Sequence, residues 1–262
     1  MVIVADNLQI IRNTISGAVA TGNPEPIRAL VRQCAAAGAD AIDINSGPLG
    51  RSPERSMAFL VATVESATDL PLMIDSANPV ALAAGLAAAT RPAILNGFSL
   101  EPAKVEKILP LAARTGSDIV GYLLGRDGHV PMSADERMAV AVELFQTYMD
   151  AGCDPARLIL DPVVVPVTWQ EGHRQAVEVL DVIRQLPDLL GYPVRTIVGL
   201  SNLTTGVSIP DRRGILERAY LPMLASAGLD MVLMNVLCPE SIRIARACRM
   251  LLSNHIFSWK KV

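Results

Sequence analysis

The chain has 262 residues, 51% apolar and only 4% aromatic, with a formal net charge of −3. One large α/β domain or two small ones fit this length, and the apolar share fills a sizeable core. A nucleic-acid surface is excluded: no Lys/Arg block exists beyond Lys260-Lys261, read as a solvated tail, and aromatics are too few to form a stacking platform. Cys34, Cys153, Cys238 and Cys248 lie far apart, and there is no C-x-x-C, H-x-x-H or H-E-x-x-H, so neither a disulfide nor a bound metal is expected. No apolar run approaches the roughly 18 residues of a spanning helix. Met1 to Asp6 reads as a strand rather than a leader, so a soluble cytoplasmic protein is expected.

In chain order, a first strand is predicted at about residues 2 to 5. A helix follows from Asn23-Pro24, through Ile27, Leu30, Val31 and Cys34, to a stop at Gly38. Short apolar runs then recur at about 41 to 44, 72 to 75, 93 to 96, 119 to 123, 157 to 160, 196 to 200 and 230 to 234, with helical stretches between them. Each run is too short for a helix and reads as a parallel strand buried on both faces. The junctions Gly38-Ala39-Asp40, Gly116-Ser117-Asp118, Gly152-Cys153-Asp154 and Gly228-Leu229-Asp230 repeat one pattern. Glycine ends the helix in a left-handed conformation and an acid opens the turn into the next strand. Eight βα units at about 30-residue spacing predict a single (β/α)8 barrel over residues 1–262. An open doubly wound sheet fits less well, because no glycine-rich fingerprint follows the first strand.

In such a barrel every strand's C-terminal end points to one mouth. Asp6, Asn7, Asp43, Asn45, Asp75, Asn96, Asp161, Asn202 and Asn235 are then gathered there. Any one of them serves as an ordinary turn residue in most proteins, but nine at one mouth point to a binding site. Carboxylates and carboxamides together suit a flat heterocycle carrying several N–H and C=O groups.

Taken in order, Asp43-Ile44-Asn45-Ser46-Gly47-Pro48, Ile74-Asp75-Ser76, Ile94-Leu95-Asn96, Leu160-Asp161-Pro162 and Gly199-Leu200-Ser201-Asn202 resemble the pterin-binding barrels. More closely, nearly the whole chain is similar to the methyltetrahydrofolate:corrinoid methyltransferases and to the folate domain of cobalamin-dependent methionine synthase. The resemblance implies that Asp75, Asn96 and Asp161 hold the ring of tetrahydrofolate or 5-methyltetrahydrofolate, with Ser201 beside it. Asp161 is assigned to the 2-amino and ring N–H edge, which a carboxylate accepts bidentately. Asn202 matches the family's asparagine beside N5 and is the candidate catalytic residue, while Asp43 and Asn45 support the ring contacts. The methyl donor or acceptor is then the cobalt of a corrinoid, carried on a separate and transient partner protein. A homodimer is also implied.

The opening Ala5-Asp6-Asn7-Leu8-Gln9 departs from the family's Gly-Glu-Arg-x-Asn segment, and Thr205 stands where relatives carry Phe or Gln. Dihydropteroate synthase is the enzymatic alternative. It expects Ser-Thr-Arg-Pro, Ser-Arg-Lys and Arg-x-His segments where this chain has Ser46-Gly47-Pro48-Leu49, Leu200-Ser201-Asn202 and Met234-Asn235-Val236. A non-catalytic folate-binding subunit is the alternative from another class, and Asn202 speaks against it. Asp127-Gly128-His129 resembles the start of a corrinoid motif, but Met132 replaces its glycine, so no cobalt is expected on this chain. Trp169 and His173, after the sixth strand, are candidates for a partner surface, Arg213 for the folate tail, and His255 is incidental.

Overall fold

The computed structural model describes residues 1–9, 13–45, 47, 52–253 and 259. Ser46, Pro48, Leu49, His255 and Lys260-Lys261 lie outside the described residues. The strands are β1 (Val2–Gln9), β2 (Ala41–Asn45), β3 (Leu72–Asp75), β4 (Ala93–Phe98), β5 (Ile119–Tyr122), β6 (Leu158–Asp161), β7 (Arg195–Gly199) and β8 (Met231–Met234). They close in sequence order into one barrel, and every pair is parallel. This is the (β/α)8 architecture that the βα alternation predicts. The helices are α1 (Asn13–Thr21), α2 (Glu25–Ala37), α3 (Pro53–Glu65), α4 (Pro79–Ala88), α5 (Pro102–Lys107), α6 (Leu109–Thr115), α7 (Ala134–Asp150), α8 (Gly172–Leu190), α9 (Pro210–Ala227) and α10 (Pro239–Leu251). Among the described residues none is long and apolar enough to cross a membrane.

Local chemistry sets the element ends. The Asn23 side chain accepts from the Glu25 amide at 3.1 Å, proline occupies the first turn of α2, and Gly38 ends it at φ 105°. Ser133 and Glu136 form a reciprocal capping box on α7. Gly116, Gly152 and Gly228 are also left-handed. Of the acids that follow these glycines, Asp154 makes a local turn, accepting from the Ala156 amide at 2.9 Å, but the other three reach farther: Asp40 accepts from the Ile3 amide at 2.8 Å and Asp230 from the Thr196 amide at 2.8 Å. Asp118 pairs with Arg157 and Arg195 at 3.1 and 2.9 Å. Thus the helix-to-strand junctions brace neighbouring strands at the end of the barrel remote from the mouth.

Alternation along the strands separates two apolar cores. Ile42, Ile44, Leu72, Ile74, Leu95, Leu158, Leu160 and Val198 point outward into the layer packed under the helices. Val4, Ala41, Met73, Val120, Ile159, Ile197, Met231 and Leu233 point inward and fill the barrel's waist. Two residues beyond most of those inward positions stand Asp43, Asp75, Tyr122, Asp161 and Gly199, and Asn96 follows the inward Ile94. The period-2 geometry of a strand therefore lays a polar tier directly on an apolar plug. Two strands run past their predicted ends: β1 reaches Gln9 through an irregularity between Ala5 and Leu8, and β4 reaches Phe98 through one between Asn96 and Phe98. Such irregularities re-aim side chains at a barrel rim.

Candidate active site

Strand register brings the predicted residues together. Gln9 pairs with Asn45, Asn45 with Asp75, and Asp75 with Asn96, while Tyr122 pairs with Asp161 across β5 and β6. A cavity of about 150 Å³ is lined by Asp6, Gln9, Asp43, Asn45, Asp75, Asn96, Tyr122, Asp161, Gly199, Ser201, Asn202 and Leu233. All seven predicted site residues lie in that lining. It opens beside a wider cleft of about 560 Å³, which shares Asp6, Gln9, Ser201 and Asn202 and extends past Thr205, Arg213, Arg218, Asn235 and Cys238.

The walls are cross-braced by hydrogen bonds. Asn45 donates to Asp75 Oδ2 at 2.7 Å, and the Tyr122 hydroxyl donates to Asn96 Oδ1 at 2.6 Å. Asn96 in turn holds Asp43 through a side-chain hydrogen bond. Ser201 donates to Asp6 Oδ2 at 3.0 Å, and Asp161 accepts from the Val163 amide at 2.8 Å. That last contact holds Val163 at φ 61°, a left-handed conformation costly for a β-branched residue, and turns the chain sharply out of β6. Of the residues placed at the mouth, Asn7 and Asn235 do structural work instead: Asn7 donates to Asn235 at 2.6 Å and accepts from the Val236 amide at 3.0 Å, closing β1 onto the loop after β8.

Burial shapes the charges. Asp161 is pushed up to about 7 by burial, against the pull of the Val163 amide and the Arg137 charge. Asp75 is likewise pushed to about 7 by burial. Burial, then Asp75 and Asp6, raise Asp43 further, and the Tyr122 phenol is raised by burial and by Asp75, Asp161 and Asp43. A desolvated acceptor near its own pKa binds a donor pair strongly because it has little water to lose.

Asn202 sits differently. It lies in the 3-10 turn Leu200–Thr204 directly after β7, exposed, where both cavities meet. Gly199 makes room for it, since a Cβ there would stand 2.9 Å from the Asn202 amide nitrogen. Trp169 is 58% exposed in the loop after β6, and His173 is exposed at the start of α8. Asp127 and His129 form an exposed pair at 3.3 Å between β5 and α7, outside both cavities.

Sequence reasoning missed Tyr122, Gln9 and Arg137. Tyr122 was legible as the polar residue ending the run Ile119-Val120-Gly121, by the rule that singled out Asp75 and Asn96. Arg137 has no such signal: it lies in α7, fully buried, with Gln175 Oε1 at 3.0 Å as its best partner.

A polar tier on the mouth of a (β/α)8 barrel is common to many chemistries, and comparison with known families narrows it. The model of the pterin binding enzymes matches residues 13–235. The chain belongs to the pterin binding enzyme family. Among curated relatives it is 25% identical over 210 residues to methionine synthase of Mycobacterium tuberculosis, a match covering 76% of this chain but 17% of that protein. The chain thus spans only a small part of the methionine synthases it resembles. It is 23% identical over 239 residues to methylcorrinoid:tetrahydrofolate methyltransferase of Eubacterium limosum, covering 90% of this chain and 85% of the relative. Dihydropteroate synthase from Xanthomonas albilineans, in complex with 7,8-dihydropteroate, superposes with a TM-score of 0.67 at 20% identity over 95% of this chain and 93% of that one. At that identity the likeness concerns the fold.

Proposed function

We propose that the chain moves a methyl group between N5 of tetrahydrofolate and the cobalt of a corrinoid. The observation that carries this reading is the pairing, in one cavity, of two carboxylates with an exposed amide: half-buried Asp75 and buried Asp161 below, Asn202 at the rim. The carboxylates suit the donor edge of a pterin, with Asp161 on the 2-amino and ring N–H groups and Asp75 beside it. Asn96, whose carbonyl already accepts from Tyr122, has one lone pair and one N–H left for the ring. Asn45 and Asp43 hold these groups from β2. The wider cleft, with Arg213 and Arg218, accommodates the anionic tail of a folate.

In this reading the C–N5 bond breaks as the methyl passes to a cobalt(I) nucleophile, and its electron pair stays on N5. A tertiary amine leaves poorly, so N5 must be protonated or strongly hydrogen-bonded as charge develops. The Asn202 amide supplies a donor that strengthens toward the transition state, and the proton comes from solvent at the open rim. The corrinoid is a substrate delivered by a partner protein. Among the described residues no group of His, Cys, Asp and Glu forms a metal site. Trp169 and His173 ring the mouth where such a partner would dock.

The test is methyl exchange between 5-methyltetrahydrofolate and cob(I)alamin, followed by the cobalt spectrum. Accelerated exchange by a colourless, cobalt-free preparation is expected. No acceleration with free cobalamin or with corrinoid proteins would refute the reading, as would stoichiometric corrinoid in the isolated chain.

A further inference from the structure

Four carboxylates, Asp6, Asp43, Asp75 and Asp161, share one cavity of about 150 Å³, and no Lys, Arg or His is in its lining among the described residues. Such a set cannot stay fully ionised, because like charges in a desolvated space repel strongly. The partners of each differ. Asp6 accepts from Ser201, Asp75 from Asn45, and Asp161 from the Val163 amide with Arg137 behind it. Asp43 is the most buried, at 2% exposure, and its Oδ1 has no hydrogen-bond partner among the described residues. A bare, water-excluded oxygen is costly on a carboxylate, whereas the neutral acid leaves no charge unsolvated there and, with Asp43 lining the cavity, has a hydroxyl to offer a ligand.

We propose that Asp43 is a neutral carboxylic acid whose hydroxyl donates a hydrogen bond to an acceptor atom of the bound ring, so that the floor adds a hydroxyl donor to its carboxylates. This deepens the pterin reading and rests on it for the identity of the ring. Burial and the charged groups facing Asp43 favour the neutral form: Asp75 on β3 and Asp6 on β1, opposed by the hydrogen bond from Asn96 on β4, while Tyr122 on β5 stays a neutral phenol. Donors are otherwise scarce at the floor. Asn45 and Asn96 each give one N–H to Asp75 and Asp43, which leaves Asn96 a single N–H for the ring, and the Tyr122 hydroxyl is given to Asn96. A pterin carries acceptors, N1 and the C4 carbonyl, beside its donors. Against carboxylates alone those acceptors would be repelled. With Asp43 protonated, the floor matches a ring of mixed polarity and discriminates against rings lacking an acceptor at that place.

The first measurement needs no folate. Infrared titration of the ligand-free protein should show, above about pH 8 where Asp75 and Asp161 are ionised, the C=O stretch of a protonated carboxyl that disappears in Asp43→Asn and persists in Asp161→Asn. A band absent from the wild type, or unchanged in Asp43→Asn, would overturn the assignment. The second is titration calorimetry with 5-methyltetrahydrofolate. Asp43→Leu, which fills the site without a donor, should bind about 10-fold or more weakly than Asp43→Asn, whose amide restores one. Equal affinities of the two variants would overturn the donor role. Circular dichroism identifies any variant that fails to fold, and Asp43→Ala, which also lacks a donor, then replaces Asp43→Leu as the test, with weakened binding expected again and binding equal to Asp43→Asn overturning the donor role. If the wild type binds no folate, the pterin reading fails, and the infrared band still decides the state of Asp43.

Discussion

Asp161→Asn separates what this residue does for the ligand from what it costs the fold. The side chain is 6% exposed, and one oxygen is committed to the Val163 amide at 2.8 Å, a role that an asparagine carbonyl can fill. The other half of the group faces the cavity. There the variant replaces a charged acceptor by an N–H₂ aimed at the ring's own donors, with a loss of roughly 2 to 4 kcal/mol, or about 30- to 1000-fold in folate Kd. Stability should move the other way. Burial lifts Asp161 to about 7, and the interval from an ordinary aspartate corresponds to on the order of 4 kcal/mol. Because the folded pKa is raised, the native state holds this proton more tightly than the unfolded chain. The group's stability is fully present below about pH 4 and is lost as pH rises through about 7. Asparagine has nothing to lose, so the variant's Tm should match the wild type near pH 4 and exceed it increasingly up to about pH 8. Calorimetric scans across that range, paired with folate titrations, measure both effects. Parallel Tm curves, or unchanged folate affinity, would refute the reasoning.

Asn202→Ala should slow methyl transfer by about 10- to 1000-fold while changing folate affinity much less, as for removal of one preorganised donor; equal losses in single-turnover rate and Kd would make it a ground-state contact. Gly199→Ala should act on the same group indirectly, since its Cβ would sit 2.9 Å from the Asn202 amide nitrogen, so turnover should fall while Tm stays nearly constant. Folate binding by the wild type should strengthen as pH rises through about 7, where Asp75 and Asp161 ionise, and a flat affinity profile between about pH 6 and 8 would contradict this. Arg137→Met should move that profile to higher pH, because the buried guanidinium is what offsets part of the burial penalty on Asp161. Its global stability should change little, since the Arg137 Nε lacks a hydrogen-bond partner and the charge is expensive to bury. An unshifted profile would remove Arg137 from the site's electrostatics.

Much of the architecture was legible locally. Runs such as Leu72 to Asp75 and Leu158 to Asp161 are short, apolar and bounded by turn residues, so seven of the strands were placed within a residue or two of where they lie, while β1 runs four residues past its expected end. Each of the helix-stopping glycines named in the junctions is left-handed, because only a missing Cβ makes that conformation inexpensive. The mouth residues were legible for the same reason: the polar group that ends an apolar run must leave the core. Residues whose role depends on a distant partner were not. Asn7 and Asn235 carry the same strand-end signature as Asn96, yet they bond one another across the closure of the barrel, and nothing near either in the chain announces the other.

The sequence by itself determined the βα order, most strand ends and most of the polar tier, since strand period, glycine conformation and turn chemistry act over a few residues. Only the tertiary structure decided what that tier is electrostatically. Which carboxylate keeps a proton, which amide is already engaged and which buried arginine leans on Asp161 follow from register between β2, β3 and β4, from the closure of β1 on β8, and from α7 packing outside β6. Charge and hydrogen bonding act through space, in a medium whose polarity is set by everything packed around them, and that medium exists only once the barrel has closed.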